Sequence, residues 1–593
     1  WDRVGRMGGI GIPLAVVPGE GVVTGYASKF SDGTPTVEAA KLLASSTPWY
    51  DANGESMVVL RLADDGSTSW IKTMSGNDAL FFIDTVVDAS GNIYVGSLAT
   101  QVGVEDIMLS KFAPDGSLTW RYSYPHIDGL GPGQDPFENR FSDIKCDANG
   151  DIFACYTDNG DYGPGARRLT LLKFNSAGDI LWQKTIRDEP AAQNFYFGGL
   201  TVDANGNAII MFSGRLATTL TAYNYGFDDT MRTSAKAAYV AKYSPAGTLV
   251  WERGFGSLND DGPDFEMRAD LITDAAGNVY TQYMNWSYST PVFLKLASAT
   301  GAVVWYQFQD AWGRDGSTNK IAGEMPYLTG SAEVPGLAVS NDGSTLIRAY
   351  AGSDQGTSPG IAAILVTVNT TTGAIIGNRQ LVHPDGYPDA GRTNRVFSVL
   401  WDVKVDPDSG LVYVFGGVDQ NTSSSTEAWP FLMCMDLNFN IQWYNEFVIT
   451  PLGYSAINID YGNDSLSGRT PRISFGPDNI NVAYMHDDNV GVHGILMSIN
   501  KATGAEAGDL YTSAASATHP SGVTYSVVTT GAPTLINFDT LTDGWFEQYG
   551  NFNYQGFPAD FSNELLVSET GVTTFGPKAA VSAALSLPTI TVL

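Results

Sequence analysis

Carboxylates offer the first chemistry in this chain. Asp147, Asn149 and Asp151 alternate through KCDANGDIF, the nearest approach to an oxygen-ligand loop, since alternating carboxylate and amide oxygens can wrap a hard cation such as Ca2+. No Glu closes that loop at its twelfth position, and Asp88, Asp203 and Asp274 repeat the turn with fewer oxygens. An Asp that satisfies its own turn accounts for all four, and the spacing favours that reading over a metal ligand. A second group, Asp260, Asp261, Asp264 and Glu266 in NDDGPDFE, could bind a metal, supply the paired acids of glycoside hydrolysis or form a solvated loop. A third, His383, Asp385, Asp389 and Arg392 in HPDGYPDAGR, has the mixed chemistry of a binding or catalytic face carried on a loop.

Several classes are excluded. His126, His383, His486, His493 and His519 show no metal-ligand spacing, and no nucleophile elbow, phosphate loop or dinucleotide fingerprint occurs. Cys146, Cys155 and Cys434 are too few and scattered for a disulfide framework or a zinc site. With 63 acidic against 33 basic residues, net −30, the chain repels phosphate backbones, so nucleic acid is not an expected partner. No apolar run is long enough for a membrane-spanning helix. Apart from the Ca2+ reading, no cofactor is expected.

These residues must be positioned by a repeat. One half-repeat reads apolar, Lys, Phe, turn residues, Gly, apolar, Trp, as in LLKFNSAGDILW. Its glycine, at Gly66, Gly116, Gly178, Gly247 and Gly301, stands four residues before Trp70, Trp120, Trp182, Trp251 and Trp305. Three copies are degenerate: Gly377 and Gly508 occupy the tryptophan position, and a third keeps Trp443 but has Phe439 in place of the glycine. Alternating apolar residues on two arms around a turn that accepts positive φ make a β-hairpin. A tryptophan at one fixed place per hairpin supplies a flat surface for packing between sheets.

The other half-repeat, apolar–Asp–small–small–Gly–Asn followed by a strand, surrounds Asp88, Asp147, Asp203 and Asp274, with looser copies near Asp342, Asp406 and Asp478. Two hairpins in tandem make a four-stranded meander. Recurring meanders have a closed radial solution that hides strand edges. The expectation is therefore an all-β propeller of eight four-stranded blades over 21–511, an extended arm over 1–20, and a ring-closing and docking segment over 512–593. The two strands missing from the first blade should come from 22–30 or from the tail around 523–536.

The pattern TGAVVW, Thr300 to Trp305, with TGAII and TGAEAG at the corresponding later places, resembles the tryptophan-docking repeat of quinoprotein-type propellers. VDASGNIYVGS is similar to the short repeats of bacterial extracellular propellers. The resemblance spans roughly residues 57 to 511 and implies a fold. Quinoprotein dehydrogenases also need an adjacent-cysteine disulfide, and this chain has no Cys-Cys pair, so their activity does not carry over.

The function expected is a non-enzymatic structural or binding propeller in an extracellular assembly, a phage tail or virion component or a bacterial surface adhesin. Its apolar ends would dock on other subunits and its faces on host glycan or protein. The alternative is an enzyme, quinone-dependent or polysaccharide-active, with its site at the channel mouth.

Overall fold

In the computed structural model the described residues are 14–17, 21–29, 55–63, 68–75, 80–101, 104–124, 140–159, 167–189, 196–215, 236–256, 271–285, 290–308, 336–354, 360–383, 395–420, 428–450, 473–487, 492–509, 516–518, 524–528, 534–537 and 591–592. Each tandem pair of hairpins closes into one antiparallel meander, because the Asp and Gly turns reverse the chain while alternating apolar residues bury both faces.

The first sheet runs Leu14–Val17, Gly21–Lys29, Glu55–Leu62, Thr68–Ser75. The second comprises Leu80–Val87, Ile93–Gln101, Val104–Phe112 and Leu118–Tyr124. Arg140–Cys146, Ile152–Asn159, Arg167–Phe174 and Ile180–Glu189 form the third. Next come Tyr196–Val202, Ala208–Arg215, Lys236–Tyr243 and Leu249–Gly256. Leu271–Thr273, Val279–Asn285, Thr290–Leu296 and Val303–Phe308 make the fifth. The sixth holds Leu337–Val339, Thr345–Asp354, Gly360–Asn369 and Ile375–Val382. Arg395–Val405, Val412–Gln420, Ala428–Met435 and Ile441–Thr450 give the seventh. Ile473–Phe475, Asn479–Asp487, Val492–Asn500 and Glu506–Asp509 complete the eighth.

The first strands of neighbouring sheets lie side by side, and Leu14–Val17 of the first sheet also touches Ile473–Phe475 of the eighth. The expected count of eight blades is corrected: the fold is assigned as a seven-bladed propeller of four-stranded blades. Among the described residues the ladders fall into eight sheets.

The two inner strands of the first sheet come from the N-terminal side. One of them, Leu14–Val17, lies inside the segment read as an arm. The tail strands Thr524–Val528 and Thr534–Asn537 instead add to the outer edges of the seventh and sixth sheets. Between sheets the core is apolar. Phe153, Leu169, Leu171 and Trp182 of the third sheet meet Ile210, Phe212 and Tyr239 of the fourth, the contact surface that drives such packing.

Candidate functional site

The chemistry-bearing residues of the repeat meet at the joints between sheets. On each outer hairpin a β-bulge falls just before the turn and sets the tryptophan position directly across from the lysine position. The pairs are Arg61–Trp70, Lys111–Trp120, Lys173–Trp182, Lys242–Trp251 and Lys295–Trp305. Cross-strand partners share a face, so both side chains reach the next sheet together.

There the indole lies against the turn glycine of the following hairpin. A Cβ on Gly116, Gly178, Gly247, Gly301, Gly373 or Gly504 would stand 2.6 to 2.9 Å from Trp70, Trp120, Trp182, Trp251, Trp305 or Trp443 respectively. Each indole Nε1–H donates to a backbone carbonyl of the same turn: to Pro114 at 2.9 Å, Ser176 at 3.0 Å, Pro245 at 2.9 Å, Ser298 at 3.0 Å, Thr370 at 2.8 Å and Lys501 at 2.9 Å. A second donor often shares that carbonyl. Lys111 reaches Ser176 at 2.8 Å, Lys242 reaches Ser298 at 3.1 Å, Lys295 reaches Thr370 at 2.8 Å, and Arg61 reaches Pro114. In the seventh sheet Cys434 stands across from Trp443, and the hydroxyl of Tyr413 supplies the second donor at 3.2 Å.

A buried ammonium needs a counter-charge, and the turn aspartates provide it. Lys242 pairs with Asp203 at 2.8 Å, Lys295 with Asp274 at 3.9 Å, and Lys501 with Asp406 at 2.8 Å. Burial pushes the Asp203 carboxyl up, but hydrogen bonds from Lys242 and Asn207 outweigh it and hold the carboxyl below its ordinary value; Lys501 and Ser409 do the same for Asp406. At the turn read as a cation loop, Asp147 Oδ1 accepts the backbone N–H groups of Asn149 and Asp151 at 2.9 and 3.0 Å. The Lys173 ammonium lies 2.9 Å from Asp151 and 3.4 Å from Asp147. The charge at these two carboxylates is therefore met by a side chain. Among the described residues no group of three or more His, Cys, Asp or Glu is placed to hold a metal ion.

The joint between the sixth and seventh sheets departs from this scheme. Gly377 stands in the tryptophan position, across from Thr367 rather than a lysine. Phe439, with φ 67°, stands in the turn-glycine position of the next sheet, and a Cβ on Gly377 would be 2.9 Å from its ring. The two departures fit each other: the aromatic ring comes from the opposite side of the joint. Arg379 covers that ring, 4.9 Å from its centroid. Beside it, His383 Nε2 lies 2.7 Å from Glu446 Oε1, and the Tyr444 hydroxyl donates to the same oxygen at 2.8 Å. The His383 and Glu446 side chains are 1% and 0% exposed, so they form a packed polar contact rather than a surface open to substrate.

A further set lies on the innermost strands. Asp84, Asp143 and Asp402 stand four residues before Asp88, Asp147 and Asp406. Asp402 accepts the N–H of Ile473 in the next sheet at 2.9 Å, Asp143 accepts that of Leu200 at 3.4 Å, and Lys145 bridges Asp84 at 3.4 Å to Asp143. Sequence reasoning missed these residues and Glu446. The D-x-x-x-D spacing was the available signal for the first three, whereas Glu446 has none. Of the remaining candidate residues, Gly66, Asp260, Asp261, Asp264, Glu266, Asp385, Asp389 and Arg392 lie outside the described residues.

The sequence matches no protein-family profile and no curated protein. Solved structures similar to it include the periplasmic gluconolactonase PpgL of Pseudomonas aeruginosa, 11% identical, covering 61% of this chain and 83% of that one, TM-score 0.32. A glucose dehydrogenase is 12% identical over 54% and 90% of the two chains, TM-score 0.27. The GH93 alpha-L-arabinofuranosidase of Fusarium graminearum is 12% identical over 65% and 91%, TM-score 0.30. At these values none bears on activity or substrate.

Proposed function

We propose that this chain is a non-enzymatic binding propeller that docks on other proteins through the outer strands of its sheets. The observation that carries this reading is a row of exposed apolar side chains. Leu181, Val250, Val304 and Ile376 are 50%, 44%, 46% and 58% exposed, and each directly precedes the tryptophan position in four successive sheets. Singly exposed apolar residues are ordinary, but the same exposure at equivalent positions marks a surface fit for a partner.

The polar groups support it from the other side. The repeat's tryptophans, lysines and aspartates face one another across joints, and His383 with Glu446 is buried. The setting we assign is an extracellular assembly, a virion or a bacterial surface, supported by the net charge of −30 and the apolar terminal segments. Host glycan or protein would be met by loops between repeats, the segments holding Asp260 to Glu266 and Asp385 to Arg392 among them.

The test compares wild type with a quadruple variant, Leu181→Glu, Val250→Glu, Val304→Glu and Ile376→Glu, by native mass spectrometry of material purified from the source particle. The wild type should carry partner subunits, and the variant should lose them while keeping its thermal midpoint. A strictly monomeric wild type, or a visible quinone spectrum with substrate turnover, would overturn the reading.

A further inference from the structure

Among the described residues, four short strands that follow the eighth sheet in sequence add to the outer edges of other sheets. Thr524–Val528 pairs antiparallel with Ile441–Thr450, the outer strand of the seventh sheet, from Glu446↔Val528 to Thr450↔Thr524, and Ser516–Thr518 pairs with it in turn. Thr534–Asn537 pairs with Ile375–Val382, the outer strand of the sixth sheet, from Arg379↔Asn537 to Val382↔Thr534. Thr591–Val592 pairs with Thr68–Ser75, the outer strand of the first.

Each of these three sheets has one neighbour to which no indole joins it. The sixth and seventh flank the joint where Gly377 replaces tryptophan. The first sheet touches the eighth, whose outer strand carries Gly508 in the tryptophan position, across from Ser498. The first to sixth sheets are joined in turn through Trp70, Trp120, Trp182, Trp251 and Trp305, and the seventh to the eighth through Trp443; among the described residues the second to fifth take no tail strand. At the sixth–seventh joint the placement is closest. Val528 sits opposite Glu446 and Thr534 opposite Val382, the residue before His383, with residues 529–533 between them. The two tail strands therefore end on the outer strands that carry Glu446 and, one residue before His383, Val382.

We propose that the tail strands Thr524–Val528 and Thr534–Asn537 act as a strap that holds the joint between the sixth and seventh sheets, from which the indole clasp is absent. An added strand contributes main-chain hydrogen bonds to a sheet edge without needing a particular side chain. Two such strands on neighbouring sheets, linked by a short connection, resist separation of those sheets. The strap thus performs between the sixth and seventh sheets what the indole of Trp182 performs between the third and fourth.

The test is hydrogen exchange on the full-length chain carrying Leu535→Pro with Ile536→Pro, or Tyr525→Pro with Ser526→Pro. Successive N–H groups point to opposite sides of a strand, so each double replacement removes a ladder donor to the neighbouring outer strand. Amides of Ile375–Val382 and Ile441–Thr450 should then exchange about tenfold faster or more, while those of Ile180–Glu189 and Leu249–Gly256 keep their rates. Adding Gly377→Trp with Phe439→Gly, which restores the indole clasp at that joint, should return most of the protection. No change on proline replacement, a rise spread equally over all sheets, or a rise undiminished in a folded swap variant would overturn the proposal. Should the swap variant not fold, the contrast between the two joints in the proline variants decides it.

Discussion

The indole of Trp182 lies face-on against Gly247 of the next sheet: a Cβ there would stand 2.8 Å from the ring, at a φ of +77°. Gly343 has a similar φ of +71° but no atom within 4 Å of such a Cβ. The pair separates backbone strain from contact. Gly343→Ala should cost roughly 1 to 2 kcal/mol, the left-handed penalty alone, and Gly247→Ala distinctly more. Equal losses in urea denaturation would contradict the contact.

The His383–Glu446 contact is the second point of test. Truncating either member takes one hydrogen-bond partner from a buried polar group, so His383→Ala and Glu446→Ala should each cost about 1 to 3 kcal/mol. Because both report on one contact, the double variant should cost less than the sum, and strict additivity in a double-mutant cycle would refute the coupling.

How much of this was legible beforehand depends on whether a residue's partner is local. The hairpin around Gly178 and Trp182 and the turn at Asp203 were readable, because turn chemistry and strand alternation lie within a dozen residues. Gly377 and Phe439 were each visible as departures from the repeat. That they complement one another was not, since they sit in different sheets and meet only across a joint. The lysine of the repeat is visible in the pattern, but its role is not: a β-bulge sets it opposite the tryptophan, and Lys111, Lys242 and Lys295 reach the same carbonyl as the indole. The tail's partners leave no side-chain signature, because edge pairing is made by backbone.

Acid should weaken the joints in a defined direction. The folded-state values of Asp203 and Asp406 lie below the ordinary carboxylate value, despite burial, because Lys242 and Lys501 hydrogen-bond to them. A group depressed on folding contributes stability that is present above its unfolded value, about 3.9, and lost as pH falls through the folded value. The thermal midpoint should therefore drop below about pH 4, and Asp203→Asn with Asp406→Asn should flatten that acid limb. An acid limb as steep as wild type in the double variant would count against these pairs.

The cysteines make an inexpensive probe of packing. Burial pushes the Cys146 thiol up to about 12 and Cys434 up to about 11, and drives Cys155 well above its ordinary value. Since the thiolate is the nucleophile, iodoacetamide at neutral pH should leave all three free cysteines unmodified in the native protein and label all three in guanidinium. Fast native labelling of Cys155 would show that the third sheet is not packed as described.

Where a repeat carries its tryptophan, that indole joins the sheet to the next, and equilibrium unfolding of Trp182→Ala is the sharpest check of such a joint. A loss of roughly 3 to 5 kcal/mol is expected, with the native strand content retained below the transition. An unfolding curve superimposable on wild type would contradict it.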